Sequence, residues 1–200
     1  MSNNKKNEIE TGFYNFTDKN IFGQSLIHLI NLNLPKDSVI VEVGTGYGTT
    51  ACMIAQFCPN IKKIHTIDPY TPYTTSWVGN GMPFGKKEID NAKIIAKHNI
   101  EFSGFKEKIE LINLTSNSAL SMFDNESIDL LFYDATQTVE IAYQDLFNWY
   151  KKIKRKGIIS GHCWGLLNVG ILKFKNTIDS DSVLSVYDDV WVWQKNDRKK

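Results

Sequence analysis

The chain has 200 residues, 42% of them hydrophobic, and its 23 Lys and Arg nearly balance 22 Asp and Glu for a net charge of +1. That length suits one domain with a sizeable core, and the even charge excludes a nucleic-acid surface built on bulk electrostatics. Cys52, Cys58 and Cys163 are odd in number and show no Cys-x-x-Cys spacing, which argues against a disulfide framework or a zinc site.

The stretch Met1–Asn20 is polar and lacks the apolar segment of a signal peptide. No apolar run approaches the roughly 18 residues of a membrane span. A soluble chain in a reducing, cytoplasmic compartment is the expectation. Ile21, Phe22, Leu26, Leu29 and Ile30 form a helical stripe over Asp18–Leu32 that ends before Pro35. Residues 1–35 therefore read as an N-terminal extension and helix, and 36–200 as the domain proper.

A β-branched strand, Ser38–Val43, runs into Gly44-Thr-Gly46-Tyr-Gly48 and directly into a helix over Gly48–Phe57. Glycines between a buried strand and a helix start let a ligand lie against bare backbone, at the positive end of the helix dipole. The same residues also suit a tight turn that holds no ligand. The spacing narrows the choice. In the dinucleotide fingerprint Gly-x-Gly-x-x-Gly the third glycine would fall at Thr49, and here it comes one residue early. No lysine lies between Glu42 and Gln56, so the phosphate-binding Gly-Lys-Ser/Thr pattern is absent. The remaining pattern, Glu42-x-Gly44-x-Gly46-x-Gly48, resembles the first motif of class I S-adenosylmethionine (SAM)-dependent methyltransferases. SAM carries no phosphate, and the resemblance implies that these glycines meet its methionine part and ribose.

The next strand, Lys63–Asp68, ends in an acid 24 residues after Gly44. A carboxylate at that strand tip accepts hydrogen bonds from ribose hydroxyls, near the offset of about 20 residues seen in nucleotide binders. A solvated strand-end aspartate is the alternative. Pro69–Gly85 then fits no element, and loops beyond about 12–15 residues in compact domains are functional lids or disordered. Its Tyr70, Tyr73, Trp77 and Phe84 point to a substrate lid, with an aromatic-stapled surface loop as the other reading.

Helical patterns at Lys86–Phe102, Ser116–Phe123 and Val139–Ile153 alternate with strands at Lys108–Leu114, Ile128–Asp134 and Gly157–His162. That alternation predicts a parallel sheet with helices on both faces. After a short helix or irregular piece, Leu166–Thr177, the β-rich runs Val183–Tyr187 and Val190–Gln194 are separated by Asp188-Asp189 alone. With no room for a crossover helix, they form an antiparallel hairpin or a tight connection. The fold class expected is α/β: a Rossmann-like, seven-stranded, mostly parallel sheet ending in an antiparallel hairpin, as in class I methyltransferases.

The second half sharpens the resemblance. Ser127-Ile-Asp-Leu-Leu-Phe-Tyr-Asp134 and Lys156-Gly-Ile-Ile-Ser-Gly-His-Cys163 are similar to segments of small class I methyltransferases. In that group the fourth strand ends in Asp-Gly-Asp-His-x-Tyr-Glu and the fifth in Gly-Gly-x-x-x-Gly-His-Asp. Members include O-methyltransferases acting on sugar hydroxyls of glycosides and surface glycans, and the likeness spans Val39–Lys195. It implies a SAM site on Glu42, Gly44, Gly46, Gly48 and Asp68, with Ser116 near the adenine. It also places Asp134 and His162 at the reacting end. This chain departs from the group at Thr136 and Gln137 (for Asp-His), at Cys163 (for Asp), and at Leu114 and Thr115 (for Gly-Asp). Metal-dependent relatives use such carboxylates for Mg²⁺, which prefers hard oxygens. Only Asp134 remains as one, so no tightly bound metal is expected.

Methyl transfer from a sulfonium requires an aligned acceptor and, for a hydroxyl, removal of its proton. His162, with its near-neutral ordinary pKa, is the candidate base; a packed or capping histidine is the competing reading. Asp134 would orient His162, act as base, or support the SAM amine. The expected function is SAM-dependent O-methylation of a small molecule or glycan, without nucleic-acid or membrane partners and with homo-oligomerisation left open. A degenerate methyltransferase fold that binds without turnover is the first alternative, suggested by the lost Asp-His and Asp positions. A nicotinamide-dependent oxidoreductase is the second, opposed by Gly48 and the terminal hairpin.

Overall fold

The computed structural model describes residues 21–71, 86–135 and 138–196. Helix α1 (Ile21–Asn33) leads into β1 (Ser38–Val43), α2 (Thr49–Phe57), β2 (Ile61–Ile67), α3 (Lys86–Phe102) and β3 (Ile109–Ile112). The short α4 (Ser116–Ala119), β4 (Ile128–Tyr133), α5 (Val139–Trp149), β5 (Ile153–Gly161), α6 (Trp164–Ile178), β6 (Ser185–Tyr187) and β7 (Val190–Gln194) follow. The strands make one sheet in the order β3-β2-β1-β4-β5-β7-β6, parallel from β3 to β5. Strand β7 runs antiparallel to both β5 and β6. Among the described residues no helix is long and apolar enough to cross a membrane.

The unbroken apolar strands are explained by what covers them. Side chains along a strand alternate between faces. Ile40, Leu130, Phe132, Ile158 and Val192 bury against Leu26 and Ile30 of α1 and Cys52 and Ile54 of α2. Their neighbours Val41, Leu131, Tyr133, Ile159 and Trp191 bury against Leu146 and Trp149 of α5 and Ile171 and Phe174 of α6. A strand sandwiched in this way has no solvent face on which to place polar residues. Helix α1 shares the first of these cores, through Leu26 and Ile30. Cys52 and Cys58 are fully buried in the same core, as small apolar residues.

Several boundaries differ from the sequence reading, and the differences with a clear physical cause lie in the second half. Helix α5 stops at Trp149, a 3-10 turn takes Tyr150–Lys152, and Ile153 already opens β5. The polar run Lys154-Arg-Lys156 hides this start. It sits in a bulge where β5 advances from Ile153 to Ile158 while β4 advances from Ile128 to Leu130. Lys154 holds both carboxylate oxygens of Asp129 at 2.9 Å from the outside. The segment after β5 is one regular helix of 15 residues, α6. The hairpin is closed by Asp188 and Asp189 at φ 50° and 69°, with Tyr187 paired to Val190. Positive φ at both central residues is the two-residue turn whose twist matches paired strands, and Asp tolerates it.

Candidate active site

The sheet reverses its winding between β1 and β4, and open α/β sheets bind ligands at the carboxyl ends of strands beside such a point. There the residues following four adjacent strands continue the ladder by one bond each. Asp68 N donates to Ile112 O at 3.1 Å, Gly44 N to Ile67 O at 2.8 Å, Asp134 N to Val43 O at 2.8 Å and His162 N to Tyr133 O at 3.1 Å. Four of the residues singled out from sequence thus stand in a single row: Asp68, Gly44, Asp134, His162.

The three glycines of the turn serve different ends. A Cβ on Gly44 (φ 102°) would come 2.1 Å from the Asp134 carbonyl oxygen, so this glycine allows two strand ends to meet. Among the described residues, a Cβ on Gly46 would meet nothing within 4 Å, so this residue presents bare backbone. Gly48 is the left-handed N-cap of α2. The sequence reading gives all three to the ligand; of these, Gly46 is the one whose Cβ position is open among the described residues.

Asp68 braces the loop from the second strand. Its Oδ2 accepts from Gly46 N at 3.1 Å and its Oδ1 from Tyr70 N at 2.8 Å. A carboxylate offers about four lone-pair positions, which leaves two for the paired hydroxyls of a ribose. Tyr70 is buried against Ala92 and Ala96, and its hydroxyl donates to Gly46 O at 2.9 Å. It is therefore a fixed root of the segment expected to form a lid. Tyr73, Trp77 and Phe84, named for the same lid, lie outside the described residues, as do Thr136 and Gln137.

Glu42 lies beneath the loop, 1% exposed. Burial, with Asp134 and Asp68 close by, outweighs the Thr66 hydrogen bond and raises its carboxyl to about 8. Thr66 Oγ1 donates to Glu42 Oε2 and lies 2.6 Å from Thr45 Oγ1, so the turn is tied to β2 through a buried hydroxyl chain. Neither threonine stands out in sequence, because each is unremarked until the strands pair. Glu42 supports the loop from below and does not face open solvent. Asp68 and Asp134, on either side of the glycine turn, suit a ligand that brings positive charge, as SAM does through its sulfonium and ammonium.

At the other end of the row, Nδ1 of His162 lies 3.7 Å from Asp134 Oδ1 and 3.5 Å from Cys163 Sγ. Its Nε2 lies 3.7 Å from Asp189 Oδ2. The Asp134 carboxylate and then the Cys163 sulfur favour the protonated ring and outweigh burial, raising its pKa to about 10. The near-neutral histidine expected from sequence is thus corrected to an imidazolium at neutral pH. Asp189 was missed because it is distant in sequence and reads as a turn residue; only the antiparallel pairing of β5 with β7 brings it here. Ser116, assigned to the adenine side, starts α4, and its Oγ accepts from Trp149 Nε1 at 2.9 Å.

The donor set does not fit the Mg²⁺ of metal-dependent relatives. Beside the Asp134 carboxylate stand a ring nitrogen and a sulfur, where a hard cation needs oxygens. The residues on the glycine side do fit SAM: an open backbone face, a ribose-competent carboxylate and an acidic surround.

A strand–glycine turn–helix at the switch point of a seven-stranded sheet with an antiparallel end defines a nucleoside-binding transferase fold. Residues 41–162, more than half of the chain, match the family model described as a methyltransferase domain. The chain belongs to that family, and it is a SAM-dependent methyltransferase. Solved structures agree in fold. An rRNA methylase from Streptococcus thermophilus superposes with a TM-score of 0.63 at 12% identity, over 90% of this chain and 99% of that one. A methyltransferase from Geobacter sulfurreducens gives 0.58 at 16% identity, covering 87% and 77%. The O-methyltransferase TomG from Streptomyces achromogenes, in complex with SAM, gives 0.60 at 14% identity, covering 88% and 79%. No curated protein matches the chain.

Proposed function

We propose that this chain methylates a hydroxyl oxygen of a small molecule or glycan, with Asp134 and His162 handling the acceptor. When bound, SAM supplies an activated methyl group, and the residues of this chain hold it and prepare the oxygen that receives it. Gly46, Asp68 and the acids around them would hold the cofactor. The observation that carries the reading is the His162–Asp134 pair beside Gly44, one strand from the glycine turn.

The raised pKa of His162 divides the labour. An imidazolium already bears its proton, so it donates toward the acceptor oxygen and stabilises developing negative charge there. Asp134 is then the group positioned to take the hydroxyl proton. The chain's net charge of +1 supports a small acceptor over RNA, whose phosphates reward a basic excess.

The test is release of S-adenosylhomocysteine across a panel of glycosides, phenols and amines. Hydroxyl acceptors should turn over, Asp134→Asn and His162→Asn should each lower kcat by about 10²-fold or more, and His162→Asn should keep SAM affinity. Turnover of amines alone, or variants as active as the parent, would contradict the assignment.

A further inference from the structure

We propose that Asp134, His162 and Cys163 form a binding site for a borderline divalent cation of the zinc class, where metal-dependent relatives would take Mg²⁺. The three offer one ligand atom each, all within 4.8 Å of one another. Tetrahedral zinc, with bonds of about 2.0–2.3 Å, sets its ligand atoms roughly 3.4–3.6 Å apart. The observed edges from His162 Nδ1 are 3.7 Å to Asp134 Oδ1 and 3.5 Å to Cys163 Sγ. The third edge, from Asp134 to Cys163, lies within the same 4.8 Å.

A second, independent feature points the same way. A histidine that ligates a metal commonly donates its other ring N–H to a carboxylate, which fixes the ring and its tautomer. Here Nε2 of His162 lies 3.7 Å from Asp189 Oδ2, in ion-pair range and short of a hydrogen bond, and Nδ1 is turned toward Asp134 and Cys163. Asp189 is itself held, since its Oδ1 accepts from Gly165 N at 2.8 Å. One sulfur, one nitrogen and one oxygen form a set that thiophilic and borderline ions prefer and Mg²⁺ does not. Three protein ligands leave a fourth position open, toward the reacting end.

The expectation of no zinc site and no tightly bound metal rests on cysteine spacing and a count of carboxylates. It takes no account of a thiol and an imidazole meeting the one carboxylate left. A cation and a proton compete for Nδ1, so the metal-bound and ion-pair states are alternative occupancies of one site. The cation proposal needs nothing from the methyl-transfer reading.

The probes are Co²⁺ and Zn²⁺ added to the full chain stripped with chelator. Co²⁺ should produce a thiolate-to-cobalt charge-transfer band that Zn²⁺ abolishes and a large excess of Mg²⁺ leaves intact. Cys163→Ser should lose the band and weaken Zn²⁺ binding at least tenfold by calorimetry, while its thermal shift with SAM shows the fold retained. If that variant does not fold, the wild-type chain still decides. Zn²⁺, and not Mg²⁺, should protect Cys163 from alkylation, read by peptide mass spectrometry. Absence of the band, its persistence in Cys163→Ser, displacement by Mg²⁺, or unprotected Cys163 would each overturn the site. None of these readouts uses methyl transfer, so failure here leaves that function standing.

Discussion

Asp189, at the tip of the C-terminal hairpin, faces Nε2 of His162 at 3.7 Å while Asp134 faces Nδ1 of the same ring at 3.7 Å. The last hairpin is therefore part of the site and not merely the end of the sheet. The tip is anchored on both sides: Asp189 Oδ1 accepts from Gly165 N at the start of α6, and Asp188 accepts from Ser25 of α1 at 2.6 Å.

The Asp134 carboxylate and the Cys163 sulfur beside the ring predict a particular pH behaviour. His162 is raised from 6.5 to about 10, so its proton is bound more tightly in the folded chain than in the unfolded one. Its contribution to stability is fully present below about pH 6.5 and is lost as pH rises through about 10. His162→Asn should flatten that decline in denaturation midpoints measured across the range. Asp189→Asn keeps a residue suited to the turn and removes one facing charge, so the His162 pKa followed by NMR should fall. An unchanged value would show that Asp189 does not act on the ring.

The glycine turn makes a contrast between neighbouring positions. Gly44→Ala forces a Cβ to 2.1 Å from the Asp134 carbonyl at φ 102°, so it should destabilise by about 2 kcal/mol or more and spread β1 from β4. Gly46→Ala meets open space at φ 51° and carries only left-handed strain, about 1–2 kcal/mol. Its main effect should be on SAM affinity. Thermal denaturation with and without SAM separates the two outcomes, and equal stability losses would count against the division of roles.

Glu42 offers a buried acid with the opposite charge logic. Its carboxyl is raised from 4.5 to about 8, chiefly by burial. The folded chain keeps a proton that the unfolded chain loses, so this stability is full below pH 4.5 and drains away as pH rises through about 8. Glu42→Gln resembles the protonated form and should remove that slope between those limits. Denaturation midpoints that track the wild type at every pH would show that Glu42 is ionised in the fold.

Asp68 ties the cofactor side together. Asp68→Asn turns one acceptor oxygen into a donor, opposing either Gly46 N or Tyr70 N. Loss of charge-assisted bonds to the loop and to ribose hydroxyls should raise the Kd for SAM about tenfold or more by calorimetry, with the fold retained. An unchanged Kd would remove Asp68 from the ribose.

Much of this was legible before the strands were assembled, for identifiable reasons. Val39–Val43 and Leu130–Tyr133 announce themselves because buried parallel strands have no polar face, and Gly44-x-Gly46-x-Gly48 because a strand-to-helix turn needs small residues at fixed places. The acids Asp68 and Asp134 could be read because both follow such strands directly. What escaped depends on pairing. The start of β5 is masked by Lys154–Lys156, whose polarity suits a bulge and not a core strand. Asp189 and Thr66 acquire roles only through antiparallel and parallel registers that no local pattern encodes. The ionisation of His162 is not legible locally, because an ordinary pKa says nothing about the Asp134 carboxylate that strand pairing brings beside the ring.

The most direct test of the account is the thermal shift of the wild-type chain with SAM, S-adenosylhomocysteine and NAD, each at saturating concentration. A ligand held on Gly46 and Asp68 raises the melting temperature by mass action, by about 2.7 kcal/mol of stability at 100 times its Kd. The account predicts clear shifts with SAM and S-adenosylhomocysteine and none with NAD. No shift with either sulfur nucleoside, or a shift with NAD alone, would contradict it.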